Sequence, residues 1–382
     1  MRIPEHGIPA LFVERCPGIS RGCPGFFARS TSALNVSDYD FDLPAALIAQ
    51  HPPAERGASR LLVLDRTTGQ RSHHQFAALP DLLRPGDLLV VNDTRVFPAR
   101  LIGHRVPGGG AAECFLVRPT DASDVWVALV HPGQRLREGA RMVFAAGALR
   151  LNAEVVGMHF HGRRTVRLWT EDGTGVREAI DAIGHIPLPP YIKRDDAPAD
   201  RDRYQTVFAR NRGSIAAPTA GLHFTPALLD ALTDRGVQRT AVTLHVGYGT
   251  FQPIRVDRVE DHRMEAEHYE VSAATAAALT AARREHRRVI TVGTTSTRTV
   301  ESLAIGADGE VQPARGETAL FIHPGHQFRL VSGMVTNFHL PRSSLIMLVS
   351  ALAGREQVLA AYEAAVKERY RFYSYGDAMV VL

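Results

Sequence analysis

The segment RVITVGTTSTRTVES, at residues 288–302, decides how this chain folds. The run VITV is typical of a buried strand, and Gly293 ends it before Thr294 and Thr295 lead into a helix. At the carboxyl edge of an α/β sheet, such a turn offers backbone N–H groups and hydroxyls to an anion or a ribose. Capping of the helix by a threonine is the alternative. Arg298, further along this helix, is placed to pair with a carboxylate.

Strand and helix patterns continue on both sides of this segment. Short apolar runs bounded by Gly, Pro and Asp predict strands, and apolar stripes at helical spacing predict helices. The predicted strands are RLLVLDR (60–66), LLVVND (88–93), TAVTLHVG (240–247) and MVTNFHLP (334–341), and the predicted helices are VSAATAAALTAARREH (271–286) and SSLIMLVSALAG (343–354). This alternation indicates an α/β fold.

The stretch from residue 93 to residue 186 has a different, all-β character. Its strand-length runs are AECFLVRP (112–119), VWVALVHPG (125–133), RMVFAAG (141–147), LRLNAEVVGM (149–158) and RTVRLWTED (164–172). We therefore predict two domains: a small β-barrel or sandwich over 93–186, inserted into a discontinuous α/β domain of residues 37–92 and 187–382. Residues 1–36 lack periodicity, which predicts a disordered leader, with an alternative start at Val36 that would leave it untranslated.

Composition and motifs exclude several classes of function. The 44 basic residues against 40 acidic ones give a net charge of +4, too small for a non-specific polyanion binder. The 3 cysteines lack CxxC spacing, which fits a reducing cytoplasm and gives no metal or redox motif. No apolar run reaches the roughly 18 residues of a membrane span. P-loop and HExxH patterns are absent from the sequence.

Three histidines lie near the ends of strand-like runs in the predicted α/β domain. His223 is in AAPTAGLHFT, His245 in TLHVGYGTF and His339 in VTNFHLPRSS, each among small residues that let a ligand approach the backbone. One such histidine is typical of a core residue, whereas three at equivalent strand ends favour a shared pocket.

Two further segments are open to two interpretations each. The aromatic and arginine alternation of KERYRFYSYGDAM (367–379) suits stacking on exposed bases, and a terminal strand packed on the core is the alternative. The cluster RREHRR (283–288) fits either a phosphate-contacting patch or charge that is favoured at the end of a helix.

Several separated segments match, in order, the pattern of one known family. They include DYDFDLPAALIAQHP (38–52), PGDLLVVNDTRVFPARL (85–101), GHIPLPPYIKR (184–194), AAPTAGLHFT (216–225), TLHVGYGTFQPI (243–254), TNFHLPRSSLIMLVSALAG (336–354) and ERYRFYSYGDAM (368–379). Through them the chain from Asp38 to Leu382 resembles the S-adenosylmethionine:tRNA ribosyltransferase-isomerases of queuosine biosynthesis.

The resemblance implies a reaction and its partners. The ribosyl portion of S-adenosylmethionine is transferred to 7-aminomethyl-7-deazaguanine at the tRNA wobble position and isomerised to an epoxycyclopentanediol. Adenine and methionine leave, and the product is epoxyqueuosine-tRNA. S-adenosylmethionine is thus consumed as a substrate, with no further cofactor and no metal expected, and the tRNA has a GUN anticodon. The resemblance also implies an α/β domain with an inserted barrel, and we expect a cytoplasmic monomer without a membrane partner.

The implied chemistry suggests roles for individual side chains. Proton transfer would use His223, His245 and His339, with Asp377 in reserve. The methionine carboxylate would pair with Arg298 or Arg342. The sulfonium would lie against Tyr248 or Phe251. The ribose hydroxyls would bond to Asn92, Asp93, Thr294, Thr295 or Asn337.

The chain departs from the usual family pattern at Glu265, where a histidine is common, and at His323 and Thr297. A Glu265 side chain inside the pocket would imply an altered substrate or a lost activity. Two alternative functions therefore stay open. One is a diverged enzyme that acts on a free small 7-deazapurine, and the other is a non-catalytic tRNA-binding paralogue, which the three histidines and Arg298 disfavour.

Overall fold

The computed structural model describes residues 34–122, 124–251 and 254–382. The strands are β1 (Arg60–Leu64), β2 (Arg71–Gln75), β3 (Leu88–Asn92), β4 (Thr94–Val96), β5 (Arg100–Val106), β6 (Ala111–Pro119), β7 (Val125–His131), β8 (Arg141–Ala146), β9 (Leu149–Met158), β10 (Arg163–Trp169), β11 (Asn211–Ser214), β12 (Gln238–Leu244), β13 (Glu267–Val271), β14 (Val289–Val292), β15 (Ala314–Thr318), β16 (Gly333–Asn337) and β17 (Ala378–Val381). The helices are α1 (Leu79–Leu82), α2 (Val176–Ile183), α3 (Asp200–Arg203), α4 (Pro226–Asp234), α5 (Ala273–Arg284), α6 (Gly293–Glu301), α7 (Ser344–Ala353) and α8 (Arg355–Lys367).

A nine-stranded sheet has the order β15-β13-β12-β3-β14-β16-β17-β1-β2. Its central strands β12, β3, β14 and β16 are parallel, whereas β17 is antiparallel to β16 and parallel to β1. The carboxyl ends of the four parallel strands and the starts of β17 and β1 therefore meet at one edge of the sheet. This edge is where open α/β folds bind their ligands.

Helices cover both faces of the central strands. Leu89 and Val91 of β3 belong to the core that includes α4, whereas Leu88 and Val90 belong to the core that includes α5. Successive side chains of a strand point to opposite faces, so a strand covered on both faces is apolar at nearly every position. This burial explains why the runs LLVVN and VITV contain almost no charge.

Strands β5 to β10 close into a six-stranded barrel in the order β10-β7-β6-β5-β8-β9, and apolar side chains of α2 pack into its core. The predicted α/β class with a small barrel is confirmed, and the alternative of a sandwich is wrong. The barrel strands lie within the predicted 93–186 segment. Residues 34–382 form one compact unit, so the division into two domains at these boundaries stays a prediction.

Three residues of the predicted leader belong to the folded chain. Leu34 and Val36 exchange backbone hydrogen bonds with the segment around Val259, and the Val36 side chain is buried. The boundary of the predicted leader is therefore too late by these residues. Residues 1–33 of that prediction lie outside the described residues.

The carboxyl-terminal segment is part of the core. Strand β17 lies between β16 and β1, and Tyr370, Phe372 and Tyr375 are buried. The interpretation as a packed terminal strand is therefore correct, and stacking of these rings on exposed bases is wrong. Within the described residues no single helix is long and apolar enough to cross a membrane; only α7 and α8 taken together, bent by 116°, pass that test.

The turn from β14 into α6 depends on Gly293, whose φ is +85°. A side chain in this left-handed region costs about 1–2 kcal/mol, which glycine avoids. A Cβ built at Gly293 would lie at ordinary contact distances from the Ala220 Cβ, at 3.6 Å, and from Thr295 Oγ1, at 3.8 Å. The requirement for glycine here is therefore conformational rather than a matter of space.

We expect Gly293→Ala to lower the free energy of unfolding by about 1–2 kcal/mol, because alanine must adopt the left-handed conformation. Gly316→Ala in β15 is the matched control, since no atom lies within 4 Å of its Cβ position and its φ is ordinary. Urea unfolding of both variants measures the difference. Equal midpoints for the two variants would contradict the account.

Candidate active site

A cavity of about 560 Å³ opens at the carboxyl edge of the sheet. Its wall is formed by the start of α6, the end of β16 with the loop that follows, and residues 216–220. Three tyrosines, Tyr191, Tyr204 and Tyr373, complete it. The predicted site residues that line it are Thr294, Thr295, Asn337, His339 and Arg342. The parallel strand order brings these residues together from segments that are distant in sequence.

The amino end of α6 faces this cavity without a side-chain cap. Val292 occupies the N-cap position, and no side chain accepts a hydrogen bond there. The alternative that a threonine caps this helix is therefore wrong. Uncapped N–H groups together with the helix dipole make this end attractive to a carboxylate or another anion. Gly293, Thr294 and Thr295 all line the cavity.

Asn337 lines the cavity and has one amide oxygen without a hydrogen-bond partner. Its Nδ2 donates to the Tyr373 carbonyl at 3.1 Å and to His223 Nε2 at 3.0 Å. A carbonyl oxygen can only accept, so the amide orientation is determined and Nε2 must also accept. The remaining amide atom, Asn337 Oδ1, is buried without a hydrogen-bond partner.

His223 therefore carries its proton on Nδ1, which lies 2.9 Å from Ser59 Oγ. Burial lowers the pKa of His223 to about 4, so the ring is neutral near pH 7. The residue does not line the cavity; it orients Asn337 from behind. His223, which the sequence suggested as an acid or base, therefore positions Asn337 instead, because both of its ring nitrogens already have hydrogen-bond partners.

His339 is the predicted histidine that lines the cavity itself. Its Nε2 lies 2.8 Å from Thr336 Oγ1, and burial lowers its pKa to about 3. A neutral buried imidazole can accept a proton from a substrate, but it carries none to donate as imidazolium. His339 is therefore neutral near pH 7 and is the histidine placed to contact a ligand in the cavity.

His245 lies at the same edge but outside the cavity lining. Its Nδ1 is 2.7 Å from Thr94 Oγ1, and a Cβ at Gly213 would come within 2.6 Å of its ring. Burial lowers its pKa as well. The ring is thus held between β11 and β4, and the neighbouring Val246 reaches the cavity instead.

Arg298 does not reach the cavity. It is buried in an ion pair with Glu267, and its Nε donates to the Leu320 carbonyl at 2.8 Å. These contacts occupy the guanidinium fork, so the expected pairing with the methionine carboxylate lacks structural support. Arg342 does line the cavity, with its backbone at φ +56° and its guanidinium paired with Asp40.

Two predicted polar residues have structural partners at the sheet edge. Asn92 bonds through its amide to the backbone of Leu244 and to Thr295 Oγ1. Asp93 accepts from Thr243 Oγ1 at 2.7 Å and from Asn211. Neither residue lines the cavity.

The Asp377 carboxylate, expected as a reserve acid or base, joins two strand starts. Its oxygens accept from the backbone N–H groups of Arg60 at 2.9 Å and Arg371 at 2.8 Å. The carboxylate also pairs with the Arg60 guanidinium. It lies outside the cavity lining and stabilises the start of β1 and β17.

The aromatic wall of the cavity comes from residues that sequence reasoning did not select. Tyr191 and Tyr373 pack with ring centroids 4.2 Å apart, and Tyr204 completes the wall. The hydroxyl of Tyr373 is buried without a partner. Burial raises the pKa of Tyr191 to about 12, so this ring stays neutral. Tyr191 could have been selected from the sequence, because it lies in GHIPLPPYIKR (184–194), one of the segments that match the family.

Tyr248, one of the two expected sulfonium partners, lies elsewhere. Tyr248 lines a second cavity, of about 590 Å³, beside the barrel, and its ring centroid is 5.7 Å from that of Phe115. Phe251 ends a 3-10 turn with Tyr248, and its side chain is outside the part of the chain that the structure describes.

The departures from the family pattern do not enter the site. Glu265 pairs with Arg163 of the barrel at 2.6 Å and is 43% exposed. His323 packs against Phe321, and Thr297 bonds to Thr291 within the core. Glu265 therefore gives no reason to expect an altered substrate. Across residues 34–122, 124–251 and 254–382, no group of three His, Cys, Asp or Glu side chains is placed to hold a metal ion.

We expect acid to destabilise the chain through its buried histidines. His223 and His339 keep pKa values of about 4 and about 3 when folded, against about 6.5 when unfolded. Below pH ~6.5 the unfolded chain thus binds more protons, and the free energy of unfolding falls by up to about 1.4 kcal/mol per pH unit for each histidine.

Between pH ~6 and pH ~4, the free energy of unfolding of His339→Gln should therefore depend less steeply on pH than that of the wild type. The expected difference in slope is about 1.4 kcal/mol per pH unit. The exposed His104→Gln is the control and should keep the wild-type slope. Urea unfolding across this range measures both. An unchanged slope in His339→Gln would show that His339 protonates equally in both states.

Comparison with known proteins places the chain in one family. Residues 36–381 match the family described as "Queuosine biosynthesis protein". Proteins named S-adenosylmethionine:tRNA ribosyltransferase-isomerase are similar: that of Anaeromyxobacter dehalogenans is 53% identical (91% of this chain, 99% of the relative) and that of Desulfitobacterium hafniense 48% (91% and 100%).

A solved structure agrees with these sequence matches. The crystal structure of S-adenosylmethionine tRNA ribosyltransferase from Thermotoga maritima has a TM-score of 0.51 and 36% identity, over 91% of this chain and 100% of that one. The resemblance carried by the quoted segments is therefore confirmed. This chain belongs to the queuosine biosynthesis family of S-adenosylmethionine:tRNA ribosyltransferase-isomerases.

Proposed function

We propose that the cavity at the carboxyl edge of the sheet transfers the ribosyl portion of S-adenosylmethionine to 7-aminomethyl-7-deazaguanine in tRNA and isomerises it. The observation that carries this assignment is that two residues lining the cavity hold a polar atom without a partner, namely Asn337 Oδ1 and Tyr373 OH. Buried groups without partners cost free energy that a bound polar ligand recovers.

The cavity wall offers a complementary group for each part of S-adenosylmethionine. The amino end of α6 and the Arg342 guanidinium suit the methionine carboxylate. The stacked Tyr191 and Tyr373 rings suit the sulfonium, since a cation is attracted to an aromatic face. Asn337 Oδ1 is an acceptor for a ribose hydroxyl. The ligand would thus span from α6 to β16.

His339 is the group we assign to proton removal from the carbon next to the sulfonium. Its ring is neutral near pH 7, and the burial that lowers its pKa also makes it a weaker base than a solvated imidazole. His223 orients the Asn337 amide by a hydrogen bond. His245 fixes the segment that carries Val246 to the cavity wall. We also propose that the acceptor is the wobble base of a tRNA with a GUN anticodon, and that the enzyme works as a cytoplasmic monomer.

Adenine release from S-adenosylmethionine tests the function directly. The assay compares tRNA that carries the deazaguanine precursor, the free base, and no acceptor. Release only with the modified tRNA, together with epoxyqueuosine in the digested product, supports the proposal. Release with the free base alone would favour the small-molecule enzyme, and tRNA binding without release would favour the non-catalytic paralogue.

We expect His339→Gln to lower turnover by about 100-fold or more, as is typical for loss of a general base. Because glutamine keeps a polar side chain of similar length, the affinity for S-adenosylmethionine should change little. Single-turnover adenine release and calorimetry separate the two effects. Wild-type turnover in this variant would remove His339 from the chemistry.

A further inference from the structure

We propose that Arg56, Arg203 and Arg371 form a phosphate-binding surface that holds the tRNA backbone beside the cavity. The inference rests on the proposed function, because it gives the tRNA substrate a place on the enzyme. Below, these three residues are called the arginine cluster.

The arginine cluster lies one residue layer away from the cavity. Arg56 and Arg203 line a shallow depression together with His223, Ser374 and Tyr375. Ser374 also lines the large cavity, so it forms a wall between the two. Arg371 Nη2 donates to the carbonyl of Tyr375 at 2.8 Å, which brings the third guanidinium to the same rim.

The cluster has no paired counter-charge. Among the described residues, no carboxylate oxygen lies within 4.0 Å of any of the three guanidinium groups, whereas the neighbouring Arg60 and Arg194 pair with Asp377 and Asp200. Asp202 acts on Arg56 only at longer range, and burial together with Arg203 lowers the pKa of Arg56. The three guanidinium groups are therefore not held in ion pairs and are available to an anion.

Backbone carbonyls hold the three guanidinium groups in place. Arg56 donates to the carbonyls of Gln205, Leu222 and Asp202, Arg203 to those of Pro53 and Ala54, and Arg371 to those of His51 and Tyr375. These bonds use the Nη atoms, and each guanidinium has five donors. Donors therefore remain for phosphate oxygens, and the side chains need little further ordering to bind.

The other arginine-rich segment does not offer such a surface. In residues 283–288, Arg284, Arg287 and Arg288 pair with Glu310, Glu285 and Asp87. This segment joins the end of α5 to the start of β14, at the edge of the sheet opposite the cavity. These arginines therefore fit the interpretation as charge favoured at the end of a helix better than the interpretation as a patch that contacts phosphates.

The test is the salt dependence of tRNA binding. The probe is tRNA with the precursor base, and its affinity is measured as a function of KCl concentration for the wild type and for single Arg→Gln variants of the cluster. Each lost phosphate contact should reduce the slope of log K against log salt by about 0.7–0.9 and weaken binding roughly tenfold at low salt.

Two kinds of variant separate phosphate binding from a structural role. Arg371→Lys keeps the positive charge, so it should keep the wild-type slope while Arg371→Gln loses about one contact. Arg283→Gln is the matched control: Arg283 is exposed, donates to the Gly309 carbonyl, and lies at the opposite edge. It should bind tRNA as the wild type does.

Wild-type slopes in all three Arg→Gln variants would overturn the inference. Equal losses of affinity in Arg371→Lys and Arg371→Gln with an unchanged slope would also overturn it, since they would assign the cluster to loop folding. These results are independent of the proposed function, whose failure would appear instead as a wild-type enzyme that binds tRNA without releasing adenine.

Discussion

The left-handed turn at Gly293 is the constraint on which the cavity depends. It ends a buried parallel strand and starts a helix within one residue, so the uncapped amino end of α6 lies at the sheet edge. The same edge receives the ends of β12 and β16 and the starts of β17 and β1. Parallel strand order thus concentrates polar residues from distant segments around one opening.

Buried polar groups connect the wall of this opening to the core. Ser59, His223 and Asn337 form a chain of hydrogen bonds that leaves one amide oxygen without a partner. A buried oxygen without a hydrogen bond costs free energy, and a ligand hydroxyl that donates to it would bind more tightly because this cost is removed. The stacked tyrosines add a neutral aromatic face, and the arginine cluster adds positive charge on the far side of Ser374.

Local patterns predicted the strands, the barrel and the edge of the sheet, because apolar periodicity and glycine turns are short-range signals. They selected Asn337 and His339, which do line the cavity. They failed for Arg298, because its partner Glu267 lies on β13, and no local pattern shows a buried ion pair between two elements. They did not assign Tyr373 to the cavity, although it lies in the aromatic segment 367–379 and lines the wall. The reaction itself came from family resemblance.

A crystal structure with S-adenosylmethionine bound tests the central claim most directly. The account predicts the ligand in the cavity beside α6, with its carboxylate toward the Thr294 end and a ribose hydroxyl within hydrogen-bond distance of Asn337 Oδ1. Binding in the other large cavity, beside Tyr248 and the barrel, would contradict the account and move the site away from the strand ends.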